Sequence, residues 1–135
     1  MAALKLDGSN FTPAALAPAD APLPLPGEKV LMLGYPLGRT LNENNPDTLK
    51  FSYADGTVSS VQEIGTVQRC YCNITGLHGN SGSPIFSKKD RRMIGVFSGS
   101  VRPDSNTLDE LNYFYPIRHF WERFTRQPLP DSDPS

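Results

Sequence analysis

The sequence predicts an all-β domain of six or seven short antiparallel strands followed by one C-terminal helix. Three observations carry this expectation. Thirteen prolines and eleven glycines in 135 residues punctuate the chain too densely for long helices. Between them lie short apolar runs such as Val30-Leu31-Met32-Leu33-Gly34-Tyr35 and Met93-Ile94-Gly95-Val96-Phe97, bounded by turn residues. Helical spacing emerges only late, where Ile117, Phe120, Trp121 and Phe124 fall on one face. The length suits one domain, and 38% hydrophobic content allows a modest core.

Ala3-Leu4-Lys5-Leu6 reads as a short strand. Residues 8–28 form an Ala- and Pro-rich connector. Its Ala21-Pro22-Leu23-Pro24-Leu25-Pro26 is extended, because proline fixes φ and removes donors. A proline-rich recognition ligand is the functional alternative for this stretch. Pro26-Gly27-Glu28-Lys29 turns into a buried strand over residues 30–35, and residues 39–48 are a polar loop. Residues 49–53 and 57–61 flank Ala54-Asp55-Gly56, an Asp-Gly hairpin signal. Residues 64–74 supply another strand. Residues 84–87 and 93–98 form a hairpin across Lys88-Lys89-Asp90-Arg91-Arg92, a solvated basic turn. Residues 101–110 are a polar loop and residues 112–115 a final strand. Pro116 suits the first turn of the helix. The Pro/Asp/Ser-rich residues 127–135 are expected to be a disordered tail, leaving residues 1–126 as the folded domain.

A net charge of −1 gives no electrostatic case for nucleic acid or an anionic membrane as a partner. No apolar run approaches the roughly 18–20 residues of a membrane span. The first ten residues lack the apolar core of a signal peptide, and the compartment stays open. The two cysteines, Cys70 and Cys72, share one face of a strand and do not readily bridge each other. A metal half-site there would need more ligands, and the chain offers only His78 and His119. The expectation is two packed thiols, with no metal and no cofactor.

The chemistry is concentrated in Gly79-Asn80-Ser81-Gly82-Ser83-Pro84, followed by Ile85-Phe86. A serine sits between glycines at the entrance to an apolar strand. Gly79 and Gly82 permit backbone conformations closed to other residues. Such a turn can aim the N–H groups of Gly79 and Ser81 at the oxygen of a tetrahedral intermediate. Ser81 is then the candidate nucleophile. The plain alternative is a Gly/Ser turn without chemistry.

The string G-N-S-G-S-P-I-F resembles the nucleophile motif of trypsin-like serine peptidases. Asn before the serine is closest to the V8-like and HtrA/Deg-like branches. The pattern V-x-x-x-G-Y-P-L-G from Val30 to Gly38 resembles the opening of the family's second barrel, and Gly56-Thr57-Val58-Ser59 its G-x-V-S strand. The resemblance spans residues 2–126. It implies a single Greek-key β-barrel, the second half of a two-barrel fold. It also implies a serine endopeptidase that cleaves a polypeptide substrate through an acyl-enzyme on Ser81.

In that family the His and Asp of the triad come from the first barrel and the linker after it. Ala2-Ala3-Leu4-Lys5-Leu6 resembles the family's D-x-A-x-L-K-L, with Met1 at the first x. The resemblance therefore implies that His and Asp are absent from this chain and that Met1 is internal to a longer peptidase. The first barrel becomes an expected partner, in the same chain or in another. Alone, the chain is expected to be inactive. His78 and His119 are poor candidates for the base, and Asp55, Asp90 and Asp104 have no partner His. The alternative is a non-catalytic barrel that binds peptides or a partner protein.

The family also implies a substrate pocket between residues 73–78 and residues 96–100. Thr75, His78 and Ser98 would make it moderately polar, with Phe97 as an apolar wall. The main chain of Ser98, Gly99 and Ser100 would pair with an extended peptide. Glu-specific relatives carry a His where this chain has Phe97, so a glutamate preference is not implied. Asn73-Ile74-Thr75 is a glycosylation sequon by pattern, discounted because it lies on a predicted strand.

Overall fold

Six antiparallel strands close on themselves in the computed structural model, which describes residues 3–35, 51–76, 79–102, 106 and 110–124. They are β1 (Lys29–Gly34), β2 (Ser52–Ile64), β3 (Val67–Cys72), β4 (Pro84–Ser87), β5 (Met93–Val101) and β6 (Leu111–Pro116). A short helix, α1 (Arg118–Phe124), follows. The order around the barrel is β1-β2-β3-β6-β5-β4, closed by pairing of β1 with β4. Two three-strand meanders are thus joined by one long crossing from β3 to β4, as expected of a Greek-key barrel. Closure leaves no continuous sheet edge.

Period-two alternation explains the core. On β1, Val30, Met32 and Gly34 point inward, while Leu31 and Leu33 are half-buried on the outside. The interior cluster joins Val30, Met32, Val58, Cys70, Cys72, Ile74, Ile85, Phe97 and Phe114. Cys70 and Cys72 share the inner face as expected, and both are free thiols. Burial pushes the Cys70 thiol up to about 12, with Cys72 adding to the effect and Arg118 opposing it.

Four local expectations are corrected. The Asp55-Gly56 pair is not a turn, because β2 runs unbroken through it. The glycine serves close approach instead: a Cβ on Gly56 would collide with Ile74 Cγ1. The true hairpin turn is Gly65-Thr66, inside the stretch expected to be continuous strand. Gly65 takes φ +65, and Ile64 pairs with Val67 across the two-residue turn. Residues 3–6 form no strand, and Leu4 and Leu6 are exposed. They belong to none of the named strands. Pro116 ends β6 opposite Gly95 and does not open the helix. There it needs no N–H of its own for the ladder to finish.

The Pro-rich connector holds no named strand or helix and turns at residues 19–20 and 26–27. It is anchored to β5, where Met93 N–H donates to Ala15 O and Ala17 N–H donates to Met93 O, and to β2, where Gly27 N–H donates to Val58 O and Val58 N–H to Glu28 O. The helix locks it from the other side. Trp121 Nε1 donates to Ala17 O at 3.0 Å and Arg118 Nη2 to Ala21 O at 2.8 Å. The expected loop at residues 39–48 and the tail at residues 127–135 lie outside the described residues. No described helix is long and apolar enough to cross a membrane.

Candidate active site

The nucleophile loop is built on β1. Ser83 is buried, and Asn80 is only 3% exposed. Both side chains rest against Gly34 at the end of β1. A Cβ there would collide with the Ser83 hydroxyl and lie 2.9 Å from Asn80 Oδ1. This is the physical reason for a glycine before Tyr35. Around the serine, Gly79 takes φ +97 and Gly82 φ +91, conformations that other residues rarely adopt. Ser83 N–H donates to Asn80 O at 2.9 Å, which closes the turn.

The loop is then stitched to β5. Gly82 N–H donates to Phe97 O, and Phe97 N–H donates to Ser83 O, both at 2.8 Å. The ladder between β5 and β6 slips here. Phe97 lies opposite Phe114 and Gly99 opposite Tyr113, so Ser98 is the extra residue of a bulge. A bulge re-aims a peptide group out of the ladder. The carbonyl of Ser98 accepts a hydrogen bond from the exposed Ser81 Oγ at 3.0 Å. No hydrogen bond among the described residues engages the N–H of Gly79 or of Ser81. Those are the two groups expected to line an oxyanion hole.

The candidate pocket residues fall in unlike places. Thr75 and Ser100 are exposed, and Ser98 and Gly99 are half-buried. Phe97 is 3% exposed and belongs to the core. Its ring edge supports the loop after β3, where a Cβ on Gly76 would stand 2.7 Å from it. Phe97 thus underlies this loop from the core. His78 lies outside the described residues.

Asn112 is a residue the sequence reading missed. It is buried on β6 and joins both sides of the candidate pocket. Its Nδ2 donates to Ile74 O at 2.7 Å, and its Oδ1 accepts from the Ser100 hydroxyl. The available signal was a polar residue at an inward position of Leu111-Asn112-Tyr113-Phe114. Asn73 of the sequon is also engaged, its Oδ1 accepting from Thr57 N–H at 2.7 Å.

No described base faces Ser81. His119 Nε2 accepts from Gln68 N–H at 3.1 Å, and its Nδ1 lies 3.5 Å from Glu122 on the same helix. Asp55 pairs with Lys88 at 2.8 Å, and Asp90 caps the turn by accepting from Arg92 N–H. Asp104 lies outside the described residues. Among the described residues no cluster of His, Cys, Asp and Glu is arranged to hold a metal ion.

A closed six-strand barrel that presents a serine on a glycine-flanked loop beside a bulged strand defines a peptidase fold. The chain belongs to the trypsin-like peptidase domain family, whose pattern matches residues 1–96. It is 33% identical over 109 residues to the genome polyprotein of Blackberry virus Y. That match covers 74% of this chain and 3% of the polyprotein. Among solved structures it is similar to the HtrA-type protease AlgW with a decapeptide, with a TM-score of 0.62 and 15% identity. The match covers 85% of this chain and 32% of that protease, so the chain spans about a third of the solved relative.

Proposed function

We propose that this chain is the nucleophile-bearing barrel of a serine endopeptidase, in which Ser81 attacks the peptide carbonyl and the N–H groups of Gly79 and Ser81 receive the oxyanion. The observation that carries this reading is the placement of Ser81. Its hydroxyl is exposed on a hydrogen-bonded turn and lies within hydrogen-bond reach of β5, the strand along which an extended substrate would pair. Past Phe97, β5 is paired on the β6 side alone among the described strands. Residues 98–100 therefore offer main-chain groups to a peptide.

A carbonyl oxygen cannot take the serine proton in the way an imidazole does. With Ser81 Oγ donating to Ser98 O, the hydroxyl stays neutral and weakly nucleophilic. The base and its orienting acid are supplied by a further segment, in the same polypeptide or in a partner. The 135-residue chain does not hydrolyse peptides at an appreciable rate by itself. Loss of triad members leaves only the residual catalysis of the oxyanion site and binding.

A fluorophosphonate probe tests this. The chain alone stays unlabelled, whereas a product extended upstream of Met1 labels at Ser81 and loses the label in Ser81→Ala. An extended product with an upstream His and Asp that never labels would count against the enzymatic reading. The second reading is a barrel that binds peptides without cleaving them. It is favoured by the same hydrogen bond, which occupies the serine with a carbonyl. Peptide binding to the extended product without turnover would select it.

A further inference from the structure

Nine of the ten described glycines have a local explanation. Gly8, Gly27, Gly65, Gly79 and Gly82 take positive φ. A side chain at Gly34, Gly56, Gly76 or Gly95 would collide with neighbouring atoms. Gly99 has neither feature. Its φ is ordinary, and a Cβ there would meet only the Tyr113 hydroxyl, at 4.0 Å. Neither backbone conformation nor crowding calls for a glycine at this position. What the glycine does is leave the Tyr113 hydroxyl uncovered beside the open part of β5.

The register places a charge behind that hydroxyl. On the outer face, Tyr71 of β3 lies opposite Tyr113 of β6, which lies opposite Gly99 of β5. The Arg69 guanidinium stacks over the Tyr113 ring at 4.6 Å and reaches toward Tyr115 at 6.0 Å. Tyr71, and then Tyr115, favour its charged form through side-chain hydrogen bonding and raise its pKa. No ion pair among the described residues involves Arg69, and its Nε has no hydrogen-bond partner there. No described hydrogen bond engages the Tyr113 hydroxyl either. Among the described residues, a cation with no carboxylate partner thus backs a phenol with no hydrogen bond.

We infer that Gly99, Tyr113 and Arg69 form a subsite that selects an acidic side chain on a peptide paired to residues 98–100. The inference rests on the peptide-pairing role proposed for β5. In an antiparallel pair, a residue opposite Gly99 has its Cα about 4.5–5.5 Å away and its side chain on the same face. With no side chain on Gly99, a substrate carboxylate can lean across the strand. It accepts a hydrogen bond from the Tyr113 hydroxyl, and the guanidinium behind the ring attracts its charge. A lysine in the same place meets a cation and no acceptor carboxylate.

The test uses the 135-residue chain and fluorescein-labelled heptapeptide mixtures. One position at a time is fixed as Glu, Gln or Lys, and the others are randomised. Anisotropy reads affinity, and amide hydrogen exchange at residues 98–100 reads strand pairing. At one position the Glu mixture should bind about tenfold more tightly than the Gln mixture, with Lys weaker still. Raising the salt should shrink this preference. Tyr113→Phe keeps the ring contacts and Gly99→Val covers the phenol. Both should bring Glu down to the level of Gln, and Tyr113→Phe, which lies outside the pairing strand, should still bind the Gln mixture. Exchange protection with equal binding of Glu, Gln and Lys would overturn the subsite and leave the pairing role standing. Neither binding nor protection would overturn both. A Glu preference that survives in both variants would place acidic recognition elsewhere and overturn the subsite.

Discussion

Ser81 Oγ donates its hydrogen bond to the backbone carbonyl of Ser98, at 3.0 Å. The nucleophile of this barrel is therefore held by the strand that would carry its substrate. A peptide N–H pairing with the same carbonyl competes with the serine. Because Ser81 is exposed, the bond contributes little to stability, about 0.5–1.5 kcal/mol at most. Ser81→Ala should therefore unfold within about 1.5 kcal/mol of the parent in urea. A larger loss would mean that the hydroxyl has a structural role beyond this one contact.

Gly34→Ala should damage the nucleophile loop from a distance. The added methyl collides with the Ser83 hydroxyl and crowds Asn80 Oδ1. Overpacking of this kind costs about 1–3 kcal/mol. The expected outcome is a lower urea midpoint together with NMR shift changes centred on residues 79–84. Unchanged loop resonances would show that the loop does not rest on β1.

Asn112→Leu should separate the two sides of the candidate pocket. It fits the volume but leaves the Ile74 carbonyl and the Ser100 hydroxyl without their partner. A buried carbonyl such as that of Ile74 costs about 1–3 kcal/mol when left unsatisfied, whereas the exposed Ser100 hydroxyl can turn to water. Faster amide exchange across residues 73–76 and 98–101 should accompany the loss. A variant as stable and as protected as the parent would remove Asn112 from this role.

Alkali should destabilise the barrel through Cys70. Burial raises its folded-state pKa from 9.0 to about 12. The folded state therefore holds the proton more tightly than the unfolded chain does. The stabilisation from this group is fully present below about pH 9 and is lost as pH rises towards about 12. Cys70→Ala, which lacks this thiol and keeps that of Cys72, should show a shallower fall between pH 9 and 12 when urea midpoints are compared. In the native protein both thiols should resist iodoacetamide at pH 8 and react once urea unfolds the barrel. Rapid labelling of the native protein would contradict the burial.

Much of this barrel was legible because single segments encode it. The run from Val30 to Tyr35 alternates between core and surface on β1, and the Gly79 to Phe86 string holds both glycine conformations that the turn needs. Features set by three strands at once were not legible. Asp55-Gly56 has the composition of a turn, yet it lies in a strand paired with Val30 and Leu31, and its glycine makes room for Ile74. The bulge at Ser98 arises from the offset between β5 and β6, and no residue in Val96-Phe97-Ser98-Gly99 announces it. Leu4 and Leu6 follow a strand pattern, but they are exposed and the segment joins none of the named strands, so its alternation is not fixed by a sheet. Asn112 was passed over because a lone asparagine in an aromatic strand takes its meaning from what it joins.

β5 lies in two environments. Its first five residues are braced by β4, the nucleophile loop and β6, while residues 98–101 project past β4 and, among the described strands, pair with β6 alone. Changes in the braced half reach the interior through Gly95 and Phe97. Changes in the projecting half meet mostly solvent and the outer tyrosines. Recognition can thus diverge among descendants of this barrel through a handful of surface codons, with folding left in the keeping of Val30, Ile85 and Phe114.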